Sequence, residues 1–296
     1  MNKYPVYIIS KGRHDCCLTA NFMLKDKVDF KIVIEPQEKD LYAKIYGEDQ
    51  LLILPFSNLG KGSIPARNWC WEDSISKGHE KHWLFDDNIR KIRRKYKKKR
   101  VPCDTIPALK CCEEFTDRYE NIAISGMNYT FFAPDDNELS PFFQNVHVYS
   151  NLLIRNDIKY RWRGRYNEDT DLCLQALSGN WCTILFNNFL IEKMHTMTMK
   201  GGNSDQLYKG DGRTTMARSL ERVWRGVVYT DRRFQRPQHK IKNEWKHFDT
   251  QLIRRKDIDW KKLEGTTNEF GQKLVQKDNI KNEQLKEWYD RQQKDK

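Results

Sequence analysis

Apolar positions in the first third of the chain fall into short unbroken runs, separated by segments whose apolar residues recur at helical spacing. "YPVYIIS" (4–10) reads as a buried strand, followed by "KGRHDCC" and a helical stretch through Leu24. "FKIVIEP" (30–36) is a second strand, stopped by Pro36. "KDLYAKIYG" (39–47) predicts a helix closed by Gly47, and "LLILPF" (51–56) a third strand. Residues 60–78 predict a loop and then a helix, with Ser63 as N-cap, Pro65 in the first turn and Gly78 at the end. "HWLF" (82–85) is the fourth strand. Strands and helices alternating at this spacing predict an α/β fold around a parallel sheet.

The middle of the chain is mixed. "NIAISGMNYTFFAP" (121–134) and "VHVYSNLLIRND" (146–157) predict longer strands, and "CTILFNNFLIEKMH" (182–195) returns to strand. Between them, "EDTDLCLQALSG" (168–179) predicts a helix with Leu172, Cys173, Ala176 and Leu177 on one face. After Gly202 the hydrophobic period weakens, and the remainder is charged and helix-permissive. The pattern therefore predicts a core domain over residues 1–205 and a basic, mainly helical C-terminal region over 206–296.

Composition narrows the class. With 296 residues, 38% of them hydrophobic, the chain can bury a sizeable core. No run approaches the roughly 18 apolar residues of a membrane span. "MNKYPVYIIS" enters a strand pattern at once and leaves no room for a signal peptide, which predicts a cytoplasmic location. The eight cysteines form no matched C-x2-C pairs and read as packed thiols rather than a zinc ribbon. A net charge of +12, clustered at 90–100, 161–165, 230–242 and 254–256, points to a polyanionic partner, of which nucleic acid is the commonest.

In a parallel sheet, ligands bind beyond the carboxyl ends of the strands. Ser10-Lys11-Gly12-Arg13, Glu35-Pro36, Phe56-Ser57-Asn58 and Asp86-Asp87-Asn88 would share that edge. Adjacent carboxylates are costly unless a cation neutralises them, and Mn2+ or Mg2+ suits such oxygen ligands; an ordinary turn is the competing reading. Glu168 and Asp169 either serve the helix dipole or supply a general base beside the cationic loop "RWRGR" (161–165). His195 ends a strand and precedes Lys200-Gly201-Gly202, which suits a loop that covers phosphates.

In this order, "ISKGR", "IPARN", "FDDN", "NED", "H" and "KGG" resemble the GT-A family of nucleotide-sugar glycosyltransferases over about residues 4–203. The resemblance implies a Rossmann-like, mostly parallel central sheet flanked by helices. It implies that Ser10, Lys11, Arg13, Glu35 and Pro36 frame a nucleotide, that Arg67 reaches its diphosphate, and that Lys200, Gly201 and Gly202 close over it. "FDDN" matches the DxD-type motif, and His195 the late metal-ligating histidine. Two registers are open: Asp87 as ligand with Asp86 near the ribose, or Asp86 and Asn88 as the outer pair. Asn is the poorer ligand, which favours Asp87. Asn167-Glu168-Asp169 matches the motif of inverting members, with Asp169 as base.

"YIISKGR", "FDDNIRKI", "NEDTDLCLQAL" and "HTMTMKGGN" resemble most closely the phage transferases associated with TET-like dioxygenases and the base J glucosyltransferases. That likeness implies transfer from a UDP-sugar to a hydroxymethylated pyrimidine in DNA, with hydroxymethylcytosine the first candidate. Tyr129 or Trp162 would stack on the target base. Arg163, Arg165 and the run Lys97-Lys98-Lys99 would track the DNA. A polysaccharide or protein acceptor, or a DNA-binding protein or nuclease without sugar transfer, are the competing readings.

Overall fold

Val6 and Ile8 turn to one face of a sheet and Tyr7 to the other, the two-residue period that a strand imposes. A computed structural model describes residues 2–194, 212–233 and 236–275. In chain order the sheet strands are β1 (Val6–Ile9), β2 (Lys31–Ile34), β3 (Leu51–Ile53), β4 (Lys81–Asp86), β5 (Ile89–Tyr96), β6 (Lys99–Pro102), β7 (Ile122–Tyr129), β8 (Phe142–Gln144), β9 (Asn151–Arg155) and β10 (Cys182–Lys193). They form one ten-stranded sheet in the order β3-β2-β1-β4-β9-β7-β10-β5-β6, with β8 also on β10. Strands β1 to β4 pair in parallel, as the alternating pattern predicts. β9 enters antiparallel between β4 and β7, so both of its neighbours keep the direction of β1. All but β5, β8 and β9 therefore run one way, and the carboxyl ends of β1 to β4, β7 and β10 share an edge.

Helices cover both faces. Helices α1 (Leu18–Lys25), α2 (Lys39–Tyr46) and α4 (Thr105–Asp117) pack Met23, Tyr42 and Leu109 against Ile8, Trp83 and Phe85. Helices α3 (Ile64–Ser76) and α5 (Glu168–Ser178) pack Trp71 and Leu172 against Tyr7, Leu84 and Leu152 on the other. Gly126 of β7 lies so close to β9 that a Cβ there would stand 2.1 Å from Asn151 O, which accounts for a glycine inside a strand.

Three elements differ from the sequence expectation. The lysine-rich run is an antiparallel hairpin, β5–β6, whose turn places Lys97 and Lys98 at positive φ. The strand expected over 146–157 is confined to β9, because Ser150, at φ +64°, breaks the extended backbone. Beyond residue 205, where mainly helix was expected, the described residues contain α6 (Gly212–Val223), the hairpin β11 (Val228–Arg233) with β12 (Arg236–Ile241), and the short α7 (Trp260–Leu263). Packing overrides composition here: Val228 and Ile241 of the hairpin bury against Leu220 of α6 and Leu174 of α5. The expected boundary near 205 lies outside the described residues. No helix among the described residues is long and apolar enough to cross a membrane.

Candidate active site

A cavity of about 640 Å³ opens at the shared carboxyl edge, and its lining includes the ends of β1, β2, β4, β7 and β10. Ser10, Lys11, Arg13, Glu35, Arg67, Asp86, Asp87, Tyr129, Glu168 and Asp169 all line it, so most of the expected residues are brought together. Pro36 is not among them; it opens a short turn, Pro36–Glu38, that ends β2.

The first loop is fixed from below. Ser10 Oγ donates to Asp87 Oδ2 at 2.7 Å and also meets the Tyr42 hydroxyl, while Arg13 Nη1 donates to Asp87 Oδ1. Asp87 is only 4% exposed, with a donor on each oxygen. Burial pushes its carboxyl up, against the opposing pull of Arg13 and Ser10. Lys11 Nζ reaches Glu35 Oε2 at 2.8 Å. Against the burial that would raise it, hydrogen bonds from Lys11 and Gln37 hold Glu35 below the ordinary carboxylate range.

Asp86, one residue earlier, faces the cavity instead. Its Oδ1 accepts from Arg67 Nη2 at 3.0 Å and its Oδ2 from Lys193 Nζ at 2.7 Å. Although burial works the other way, Lys193 and then Arg67 hold Asp86 well below the usual carboxylate range. Lys193, the last residue of β10, also donates to Ser150 Oγ at 2.5 Å, and Ser150 in turn meets the Tyr129 hydroxyl at 2.6 Å. Lys193 and Ser150 were missed by sequence reasoning. The only signal for Lys193 was its place at the end of a strand, two positions before His195.

The two possible metal registers meet different surroundings in this geometry. Both acids carry a donor on each oxygen, Asp87 from Ser10 and Arg13 and Asp86 from Arg67 and Lys193. The Asn88 side-chain oxygen is buried and takes no hydrogen bond among the described residues, an orphaned acceptor one residue beyond Asp87. Within the triplet Asn88 keeps an open oxygen of the kind a divalent ion takes, and Asp86 would share its oxygens between such an ion and its two cations. Met194 N donates to Asn88 O at 3.1 Å, which sets the end of β10 against this turn. His195, Lys200, Gly201 and Gly202 lie outside the described residues, and no cluster of three His, Cys, Asp or Glu side chains forms a metal site among the described ones.

Across the cavity, Asn167, at φ +54°, turns the chain into α5 and delivers Glu168 and Asp169. Glu168 Oε1 takes Ser63 Oγ at 3.1 Å and lies 3.5 Å from Arg67. Asp169 Oδ1 accepts from Thr170 N at 2.7 Å, while its Oδ2 takes no hydrogen bond from any described residue. Burial pushes both carboxyls up, and Arg67 offsets this only in part. A carboxylate so raised suits proton abstraction near neutral pH.

The acceptor-side candidates are spread beyond the cavity. Trp162 is 2% exposed, and its ring lies under the Arg67 guanidinium, 4.6 Å away, so it supports Arg67 and offers no face to a base. Arg163 is bonded to Asp171 at 2.9 and 3.2 Å, and Arg165 sits on Tyr166. Lys97, Lys98 and Lys99 are on the β5–β6 turn and do not line the cavity; Lys98 and Lys99 pair with Glu138 and Asp136. The far wall is instead made by Met216, Gln238 and His239 of the C-terminal region with His147 and Tyr149 of the core. His147 stacks on Trp245 at 5.6 Å. Burial lowers His147 to about 3 and His239 to about 4, so this wall carries neutral imidazoles at neutral pH.

The model of the TET-associated glycosyltransferase family matches residues 4–202, which span the strand-edge residues and both acidic turns. A crystal structure described as a nucleotide-diphospho-sugar transferase from Desulfovibrio desulfuricans G20 is 11% identical, covering 63% of this chain and 80% of that one, with a TM-score of 0.36, too low to carry an argument. No curated protein matches the chain.

Proposed function

The chain belongs to the TET-associated glycosyltransferase family, and we propose that it moves a sugar from a UDP-sugar to the hydroxymethyl group of a modified pyrimidine in DNA, inverting the sugar. One observation carries this reading: Asp86, clamped between Arg67 and Lys193, and Asp169, raised and with an open oxygen, line one cavity. A donor diphosphate needs concentrated positive charge, and an acceptor hydroxyl needs a base; this cavity offers both.

Ser10, Lys11, Arg13 and Glu35 frame the nucleotide. Asp86 and Asn88 would hold Mn2+ or Mg2+, which when bound supplies charge neutralisation at the diphosphate. Asp169 takes the proton of the acceptor hydroxyl. The freed oxygen bonds to the anomeric carbon as the bond from that carbon to the diphosphate oxygen breaks. The electron pair leaves with UDP, where Arg67 and Lys193 stabilise it. Attack opposite the leaving group inverts the anomeric centre. A base within a duplex cannot present its hydroxymethyl group in this geometry, so the target is extruded toward the wall formed by Tyr149, His147 and His239. Burial keeps those two imidazoles neutral, so they add no positive charge beside the extruded base.

The test is mass spectrometry of nucleosides from hydroxymethylcytosine and hydroxymethyluracil DNA after incubation with a panel of UDP-sugars and Mn2+. A nucleoside heavier by one sugar residue is expected. Transfer to a polysaccharide or protein with none to DNA would replace the acceptor and keep the chemistry. No UDP release with any acceptor would overturn the reading.

A further inference from the structure

Immediately after Tyr129, the turn Thr130–Phe132 carries two aromatic rings out of the fold. Phe131 is 71% exposed, the most exposed large apolar side chain among the described residues, and Phe132 is 52% exposed. Burying such rings in a core is worth about 1.5–3 kcal/mol each, so two rings this exposed at one turn call for an explanation. They are held in order. Phe132 stacks almost parallel on Tyr129, 5.8 Å away at 13°, and Phe131 meets Phe132 edge-on at 5.2 Å. Phe132 also lines the cavity, so the pair marks its rim.

The other neighbour of this turn is the basic hairpin. Arg100 Nη1 donates to Thr130 O at 3.2 Å, and Lys95 Nζ to Pro134 O at 2.7 Å, which fastens the hairpin to the aromatic segment. Residues 89–100 carry nine Lys and Arg, of which Lys91, Arg93, Lys98, Lys99 and Arg100 share four acids: Glu192, Glu138, Asp136 and Asp135. The excess is positive. Planar rings beside a surplus of cations match a polymer of flat bases on a phosphate backbone, and Phe132 on the cavity rim puts the pair where such an acceptor would approach the site.

We infer that the Phe131–Phe132 turn is a base-stacking element for the DNA acceptor, with Phe131 entering the stack beside the extruded nucleotide while the β5–β6 hairpin holds the flanking phosphates. The inference rests on the DNA-acceptor reading and extends it to a named contact. Stacking on an aromatic side chain compensates the stack broken when a base leaves the duplex.

The experiment uses the full chain and a duplex with 2-aminopurine beside a single hydroxymethylcytosine. Wild type should change the 2-aminopurine fluorescence on binding. Phe131→Ala should abolish that change and weaken duplex binding roughly 5- to 150-fold. The slope of log affinity against log salt should stay as in wild type, because no phosphate contact is lost. Phe131→Trp should restore the affinity, which a role in folding alone would not require. If Phe131→Ala binds and perturbs the duplex like wild type, this inference fails alone. The same holds if the variant instead shifts a monomer–dimer equilibrium, since the turn would then be a contact between copies. Wild type without affinity for DNA would overturn the acceptor reading and this inference together.

Discussion

Lys193 and Asp86 meet at 2.7 Å although 107 positions separate them in the chain. Their contact joins the end of β10 to the end of β4 and gives Asp86 a second cation beside Arg67. Asp86 and Asp87 are adjacent yet are pushed in opposite directions, Asp86 down and Asp87 up. The two members of the acidic pair therefore do different work.

Lys193→Met keeps the length of the side chain and removes its charge. The loss of one preorganised charge at the leaving group should lower kcat by about 10²–10³. Asp86 would keep Arg67 but lose one of its two charged donors, which should also cost stability, on the order of 1–3 kcal/mol. Steady-state kinetics and thermal melts check both effects. Wild-type kcat would remove Lys193 from the leaving-group site.

The two acids should separate in metal binding. Asp86→Asn should weaken Mn2+ affinity by at least the roughly 10- to 100-fold that loss of a supporting partner costs. Asp87→Asn should leave that affinity near wild type and instead loosen the Ser10–Arg13 loop, seen as weaker UDP binding. Mn2+ titration by electron paramagnetic resonance reads the first effect and calorimetry with UDP the second. The opposite ranking would restore Asp87 as the ligand.

Asp169→Asn should keep donor affinity and lower the transfer rate by about 10²–10⁴. Because burial raises the Asp169 carboxyl, wild-type activity should fall with decreasing pH through a pKa above the ordinary carboxylate value. A profile of kcat/KM against pH measures this. If Glu168→Gln loses the rate and Asp169→Asn does not, the base is Glu168.

Lys97, Lys98 and Lys99 replaced together by Ala should flatten the salt dependence of DNA binding. The change should fall short of about 0.9 per lysine for three, because Lys98 and Lys99 already share their charge with Glu138 and Asp136. A salt titration of duplex affinity measures the slope, and a slope equal to wild type removes the turn from the interface.

His82 should make the fold sensitive to mild acid. It is fully buried between Tyr7 and Trp71, with Nδ1 on Asn156 and no partner for Nε2 among the described residues. Burial lowers it to about 4, so the unfolded chain takes up this proton first, below about 6.5. Its stabilising term is complete above that value and is lost as pH falls toward the folded pKa. Between pH 7 and pH 5 the loss should be about 2 kcal/mol. Denaturant titrations at the two pH values, for wild type and His82→Phe, check this, and the variant should show the flatter dependence.

Legibility in the sequence followed how openly each residue's task was written in its neighbours. The first four strands were clear because buried parallel strands are apolar on both faces, and so was Asp86 at the end of one. The β5–β6 hairpin was not, since only Ile89 and Ile92 turn inward and the charged residues between them mask the period. α4 was left unassigned because its buried positions include Thr105, Glu113 and Thr116, which do not read as an apolar stripe. Trp162 looked like a stacking residue because it sits among arginines; it is buried in the core beneath Arg67, nearly a hundred positions away. The wall of Met216, Gln238 and His239 had no signal, being placed by the packing of Val228 and Ile241.

The place of β10 in the chain has a consequence for how the protein is made. Contacts between distant positions wait for the chain that separates them, and they dominate the search during folding. While synthesis has reached only β4, Asp86 can meet Arg67 but not Lys193. Asp86 gains its second cation only after β10 has emerged and inserted between β7 and β5. A nascent or truncated chain that ends before residue 193 thus holds a nearly complete parallel half with an unfinished charge balance. Assembly of the sheet and readiness of the site become one event.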